Sequence, residues 1–190
     1  MKPIALSLLA VAGLAGAALA QQPAAPTAPA TPTPPAASTA PQARSAVANL
    51  QALGGSGVAG TVTFTRRGNY IAVSANIRGL RPGGHGFHIH ERGDCSAPDG
   101  TSAGGHFNPG NQQHGNPNQP QHHAGDLPML NASRNGNARL STRLTGVRLD
   151  QSDTGIIGRA VIIHADPDDY TTQPTGNSGG RIACAVITAR

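Results

Sequence analysis

The sequence predicts an all-β domain: an eight-stranded antiparallel β-sandwich or flattened barrel with two long functional loops. Three observations carry the prediction. Apolar and polar residues alternate with a period of two in one segment after another. Clusters of Gly, Pro, Asn and Asp separate those segments at short intervals. No stretch shows the apolar stripe of a long amphipathic helix.

Two segments precede the domain. Met1–Ala20 has the form of a secretory signal. Lys2 is its charged start, Ile4–Ala18 its apolar run, and Ala18-Leu19-Ala20 a small-x-small cleavage motif. The run is too short and Gly-broken to span a bilayer comfortably, so the prediction is no membrane span and cleavage near Ala20. Gln21–Arg44 follows, with seven prolines among Ala, Thr, Ser and Gln. Such a stretch buries no core, and a disordered or polyproline-II linker is expected; extended, it would reach about 70 Å. The folded domain is expected over 45–190.

Its strands follow in order. Ala46–Leu53 alternates, as do Gly60–Thr65 and Tyr70–Ile77, with Gly68-Asn69 as the hairpin turn between the last two. Phe87–Glu91 comes next, and a short strand is expected near Leu130. Ala138–Leu144, Gly158–His164 and Arg181–Thr188 complete the set. With no Trp and only three Phe, the core must rest on Val, Ile, Leu and Ala.

The formal charge is +5. Apart from Arg66-Arg67 the arginines are scattered, without interleaved aromatics, so nucleic acid is not an expected partner. Diffuse positive charge of this kind suits a small anion instead. Cys95 and Cys184 are the only cysteines. In an exported chain an even count favours a disulfide, and neither has a neighbour at zinc-finger spacing.

Two long segments break the alternation: 93–127, rich in Gly, Pro, Asn, Gln and His, and 165–180, rich in Asp, Thr and Gly. Loops of that length in a compact domain are usually functional or disordered. The histidines point to function. Seven of the eight lie between His85 and His123, and His164 opens the second loop. His88 and His90 share a strand face. The loop adds His106, His114, His123 and Asp126, and three imidazoles with one carboxylate make a tetrahedral set suited to zinc. An ion would order a loop that has little else to fold around. Several imidazoles with an open position, His164 among them, suit copper. Asp168 and Asp169 follow in the second loop, where a carboxylate can orient a ligand imidazole; for Asp169 an Asx turn explains the residue equally well. Arg181 starts the last strand, three residues before Cys184, and can present a guanidinium to an anion.

The motifs Gly86-Phe87-His88-Ile89-His90, Gly93-Asp94-Cys95 and Ser102-Ala103-Gly104-Gly105-His106-Phe107-Asn108-Pro109 resemble the copper–zinc superoxide dismutase family. So do His123-Ala124-Gly125-Asp126-Leu127, Gly158-Arg159 leading to His164, and Gly176-Asn177 with Gly180-Arg181-Ile182-Ala183-Cys184. The loops after Cys95 and Asp168 are similar to its bacterial periplasmic branch. The resemblance covers essentially all of 45–190.

It implies a Greek-key barrel that binds one copper and one zinc ion per subunit and dismutes superoxide to oxygen and hydrogen peroxide through a Cu(II)/Cu(I) cycle, protecting the cell envelope. His88, His90, His106 and His164 match the copper ligands. His106, which matches the bridging imidazolate, joins His114, His123 and Asp126 as the zinc set. His106 also matches the proton donor and Arg181 the residue that guides superoxide, with Arg92 a second steering candidate. Asp168 matches the carboxylate linking a copper ligand to a zinc ligand, and Cys95 and Cys184 the disulfide. His85 and His122 match no ligand and are expected to pack and to fill the loop. A homodimer is a partner state the resemblance allows, and the expected location is the periplasm or the medium. A copper-delivery module and an inert stalked sandwich are the competing readings; neither accounts for a complete ligand set with Arg181. One departure is Met129, where the bacterial pattern usually has Asn, which implies a lost side-chain hydrogen bond beside the zinc loop.

Overall fold

The computed structural model describes residues 41–190. The expected signal segment and all but the last residues of the expected linker lie outside that range. Hydrogen bonding to the domain starts at Gln42, whose side chain accepts the Leu149 N–H at 3.0 Å, and continues with the Ala43 N–H on Leu149 O at 2.8 Å.

The described residues form ten strands in chain order: β1 Ser45–Ala52, β2 Ala59–Arg67, β3 Tyr70–Arg78, β4 Gly83–His85, β5 Phe87–His90, β6 Leu130–Ala132, β7 Ala138–Leu144, β8 Ala160–His164, β9 Arg181–Val186 and β10 Thr188–Ala189. The alternation fixed the long ones. In β1, Ala46, Ala48 and Leu50 point inward; in β3, Ile71, Val73, Ala75 and Ile77 do. Arg67 pairs with Tyr70, which leaves Gly68-Asn69 as a two-residue turn with Gly68 at φ 59°. Two strands exceed the expected eight. β4 is three residues with two glycines, so it has no alternation to read. β10 is cut from β9 at Ile187 and pairs with β1 on its own.

All pairings between named strands are antiparallel. The main sheet runs β5-β8-β9-β1-β2-β3-β7, with β10 against β1, and curls into a flattened barrel; β4 and β6 form a separate two-stranded sheet. Within it sits the main core of Val, Ile, Leu and Ala, joined by Phe64, Phe87 and Phe107, the chain's full complement of Phe, and a smaller cluster of Leu53, Ala103, Ala160 and Ile162 packs around Cys184. β5 and β8 are buried along their whole length, as strands covered on both faces are. The long loops do the covering. Among the described residues the only helical turn is the 3-10 segment Thr101–Ala103, and no helix is long and apolar enough to cross a membrane.

Candidate metal centre

β5 offers His88 and His90 to the same face, as alternate residues of a strand must. The first long loop is laced onto that strand through its backbone. Phe107 N–H donates to Ile89 O at 2.8 Å, Ile89 N–H to Gly125 O at 2.8 Å, and Gly125 N–H to Phe107 O at 2.9 Å. This sets Asp126 opposite His88 and His106 opposite His90. His164 ends β8, where the ladder to β9 shifts register between Ile163 and His164. All the predicted ligand residues are buried.

The side chains form two groups. In the first, donor atoms of His88, His90, His106 and His164 all lie within 4.8 Å of one another. Their other nitrogens are tied back: His88 Nε2 to Asp168 Oδ2 at 2.6 Å, His90 Nδ1 to Gly104 O at 2.9 Å, His164 Nδ1 to Gly179 O at 3.2 Å. Those acceptors assign the ring protons outward. His90 Nε2 and His164 Nε2 then face each other at 3.4 Å with lone pairs only.

The second group is built around Asp126. Its Oδ1 lies 2.9 Å from His106 Nδ1, 3.1 Å from His114 Nδ1 and 3.4 Å from His123 Nδ1. His123 Nδ1 is 3.3 Å from His106 Nδ1. A tetrahedron with metal–nitrogen bonds of about 2.0–2.1 Å has edges of about 3.3 Å, so these spacings are those of a ligand shell. His88, stacked on His106 with centroids 4.0 Å apart, also comes within 4.8 Å of His106, His114 and Asp126. Its Nε2 is committed to Asp168, however, and it belongs with the first group.

Three buried ring nitrogens have no hydrogen-bond partner: His88 Nδ1, His106 Nε2 and His114 Nδ1. An orphaned buried polar atom is costly. Three of them, aimed inward from two imidazole groups, fit metal ions. The donor set agrees, with imidazoles for copper and imidazoles plus carboxylate for zinc.

Protonation follows the same division. Burial, helped by neighbouring imidazoles, lowers His106 to about 4 and His164 to about 3, and holds His90 well below its ordinary value. Burial opposes charge on His114 as well, but the carboxylates of Asp126, 3.1 Å from Nδ1, and Asp168, 2.9 Å from Nε2, outweigh it and raise the group to about 9. His106 shares Asp126 with His114 yet moves the other way, because His114 has two carboxylates and the two rings cannot both be charged. Asp126 and Asp168, despite burial, are held far below the carboxylate range by these imidazoles.

Asp168 joins the groups directly. Its Oδ2 meets His88 and its Oδ1 lies 2.9 Å from His114 Nε2. Asp169 is the turn cap instead, accepting the Thr171 and Thr172 N–H groups at 2.9 and 2.8 Å. Arg181 stands at the start of β9, half-buried, donating from Nη1 to Gly100 O and from Nη2 to Gly104 O, both at 2.6 Å. Gly104 O is also the acceptor for His90, so one carbonyl ties the guanidinium to the first imidazole group. Cys95 and Cys184 form the disulfide that anchors this stretch of loop to β9. Arg92 is exposed beside Glu91 at 3.6 Å.

Sequence reasoning missed two features. His85 was read as a packing residue. It is buried, with Nδ1 2.8 Å from His164 O and Nε2 2.8 Å from Arg81 O, and so grips the backbone of a candidate ligand. Only its place on β4 reveals this, and β4 carries no pattern. At Met129 no hydrogen bond is lost: its sulfur accepts the Asp168 N–H at 3.2 Å. His122 is a loop residue, half-buried, on His123 O at 2.6 Å.

Fold and site together define a β-barrel protein with two adjoining groups of candidate metal donors. The model of the copper/zinc superoxide dismutase family matches residues 58–187. A Cu-Zn superoxide dismutase of Deinococcus radiodurans is 42% identical over 143 residues, 70% of this chain and 78% of that one. The crystal structure of the clock protein EA4 superposes with a TM-score of 0.72 at 37% identity, covering 81% of this chain and 99% of that chain. The chain belongs to the copper/zinc superoxide dismutase family. It is an oxidoreductase that takes copper and zinc and converts superoxide to oxygen and hydrogen peroxide.

Proposed function

We propose that His88 Nδ1, His90 Nε2, His106 Nε2 and His164 Nε2 hold copper, and that His106 Nδ1, His114 Nδ1, His123 Nδ1 and Asp126 hold zinc. The observation that carries this is the division of His106: Nδ1 lies 2.9 Å from Asp126, while Nε2 is buried with no partner. When bound, copper supplies one-electron exchange with superoxide, and zinc, without redox chemistry, supplies charge and order. The protein does the rest. Arg181, fixed by Gly100 O and Gly104 O, docks the anion beside His90. With zinc on Nδ1, His106 Nε2 would be the position at which this ring holds a proton and hands it to the reduced anion. Asp168 keeps His88 and His114 turned the right way.

The domain plan belongs to the same proposal: 1–20 an export signal, 21–44 a spacer, 45–190 the enzyme, acting in the periplasm against superoxide reaching the envelope. The disulfide supports an oxidising compartment. The test is superoxide decay with the chain carrying both metals, against the metal-free chain and R181A. Near encounter-limited, metal-dependent decay is expected. R181A should lower the second-order rate and flatten its dependence on salt. Stoichiometric metal uptake without turnover would refute the assignment and place the chain among metal carriers.

A further inference from the structure

Met129 is bound at both ends to the segment that carries Asp168. Its sulfur accepts the Asp168 N–H at 3.2 Å, and its own N–H donates to Tyr170 Oη at 3.0 Å. Tyr170 N–H in turn donates to Asp168 Oδ1 at 2.8 Å. One thioether thus holds the backbone of the residue whose carboxylate spans His88 and His114.

The sulfur lies against Gly84, which lines a solvent-open cleft. Met129 is only partly buried. A methyl group placed on Gly84 would sit 3.4 Å from the sulfur and 3.4 Å from Pro167 Cβ. Gly84 and Pro167 both line an open cleft of about 200 Å³, with Arg81, Ala165 and Asp166. A small neutral oxidant can approach from this cleft, whose one histidine, His85, is outside the proposed ligand sets. The chain's own reaction releases such an oxidant.

The geometry points to Met129 as a peroxide-modification site, through which the product of the reaction loosens the Asp168 clamp. A sulfur lone pair attacks one oxygen of hydrogen peroxide. The S–O bond forms, the O–O bond breaks, and the second oxygen leaves as hydroxide, which takes the proton of the sulfur-bound hydroxyl to become water. Sulfur loses two electrons and peroxide gains them. The sulfoxide is larger and polar. A separation of 3.2 Å leaves no room for an oxygen between sulfur and the Asp168 nitrogen, so that N–H is displaced. The carboxylate on the same residue then loses its fixed position on the two rings. Weakening an outer partner of this kind lowers metal affinity about tenfold or more.

The consequence for zinc rests on the site proposed above; the modification itself does not. The test treats the full chain with hydrogen peroxide, metal-free and carrying zinc alone. The peptide containing Met129 should gain one oxygen atom, and amide exchange at 167–170 should quicken, in both forms. Zinc transfer to a chelator should accelerate roughly tenfold, and methionine sulfoxide reductase should reverse it. M129L should show no peroxide-dependent change in exchange or transfer. M129Q, which puts a fixed oxygen near the same place, should transfer zinc faster without peroxide. An unmodified Met129 peptide would overturn the proposal, as would exchange unaltered by modification or an M129L chain that responds to peroxide like the parent. A chain that takes up no zinc would count against the site assignment alone, since mass and exchange still decide the rest.

Discussion

His114 lies between two buried carboxylates, and its protonation separates the two ion sites chemically. Without metal its pKa is raised to about 9, because Asp126 and Asp168 together outweigh burial. At pH 7 it therefore carries a proton that an ordinary imidazole would mostly have lost. An ion at Nδ1 must displace that proton. His106 and His164, lowered to about 4 and about 3, are already neutral at pH 7; His164 keeps its one ring proton on Nδ1, while His106 gives up its last one when ions sit on both its nitrogens. Zinc uptake at pH 7 should then release about one proton per ion, and its affinity should rise about tenfold per pH unit up to the raised pKa. Copper uptake by the zinc-loaded chain should also release about one proton, that of His106 Nε2, and this release should persist above pH 9, where zinc uptake releases none. Calorimetry in buffers of different ionisation enthalpy counts both. The signs for stability run in opposite directions. His114, raised, favours the metal-free fold fully below pH 6.5 and loses that contribution as pH climbs through about 9. His106 and His164, lowered, contribute above pH 6.5, and that is lost as pH falls toward 4 and 3. Zinc uptake that releases no proton at pH 7 would show that the carboxylates do not raise His114 in this way.

At the scale of elements, the site depends on how closely the first loop lies on β5. Gly125 is where the contact is tightest. A Cβ there would run into Ile89 O and would lie 3.1 Å from both Phe107 Cβ and Phe107 N. G125A should push the His123–Asp126 turn off the strand. The expected cost is about 3 kcal/mol of stability, the size usual for a core clash, together with weaker zinc uptake; urea unfolding and zinc titration measure the two. Parental stability in G125A would mean that the loop is held by the metals and not by its backbone lattice. This lattice shows where the sequence stops being legible. Period-two alternation exposes β1, β2, β3 and β7 because each has one face on the core. The His-rich loop reveals its ligands by residue type alone. Alternation says nothing of β4, with two glycines in three residues, or of β10, cut off after Ile187. It also cannot show that Gly104 O serves both His90 and Arg181, because backbone carbonyls carry no sequence signature. Met129 shows the same limit from the other side: its residue type implied a lost hydrogen bond, while its sulfur accepts one.

For the whole molecule, the disulfide is the one covalent tie between a loop of the site and the barrel. Cys184 sits within β9, opposite Gln51 of β1 and Ile162 of β8, and is buried. Cys95 lies in the loop whose Gly100 and Gly104 carbonyls fix Arg181. The bridge spans 89 residues of sequence. In the chain-entropy account a closure of that length contributes about 4–5 kcal/mol, a large share of the roughly 5–15 kcal/mol that holds a domain together. Two consequences should separate in experiment. In the metal-free chain, C95A/C184A should lower the urea midpoint by an amount equivalent to about 4 kcal/mol, because the unfolded chain regains the freedom of the open loop. In the metal-loaded chain, His106 and the zinc set hold the loop's far end, so the barrel should stay folded. The stretch 93–104 would still be freed from β9, and Arg181 would lose its two fixed acceptors. Superoxide decay should then slow even where circular dichroism shows a folded protein, and the loss should resemble that of R181A. Full activity in a folded, bridge-free chain would mean that the Gly100 and Gly104 carbonyls are placed by the ladder around Glu91 and Gly105 alone, and that the disulfide serves stability without serving the anion site.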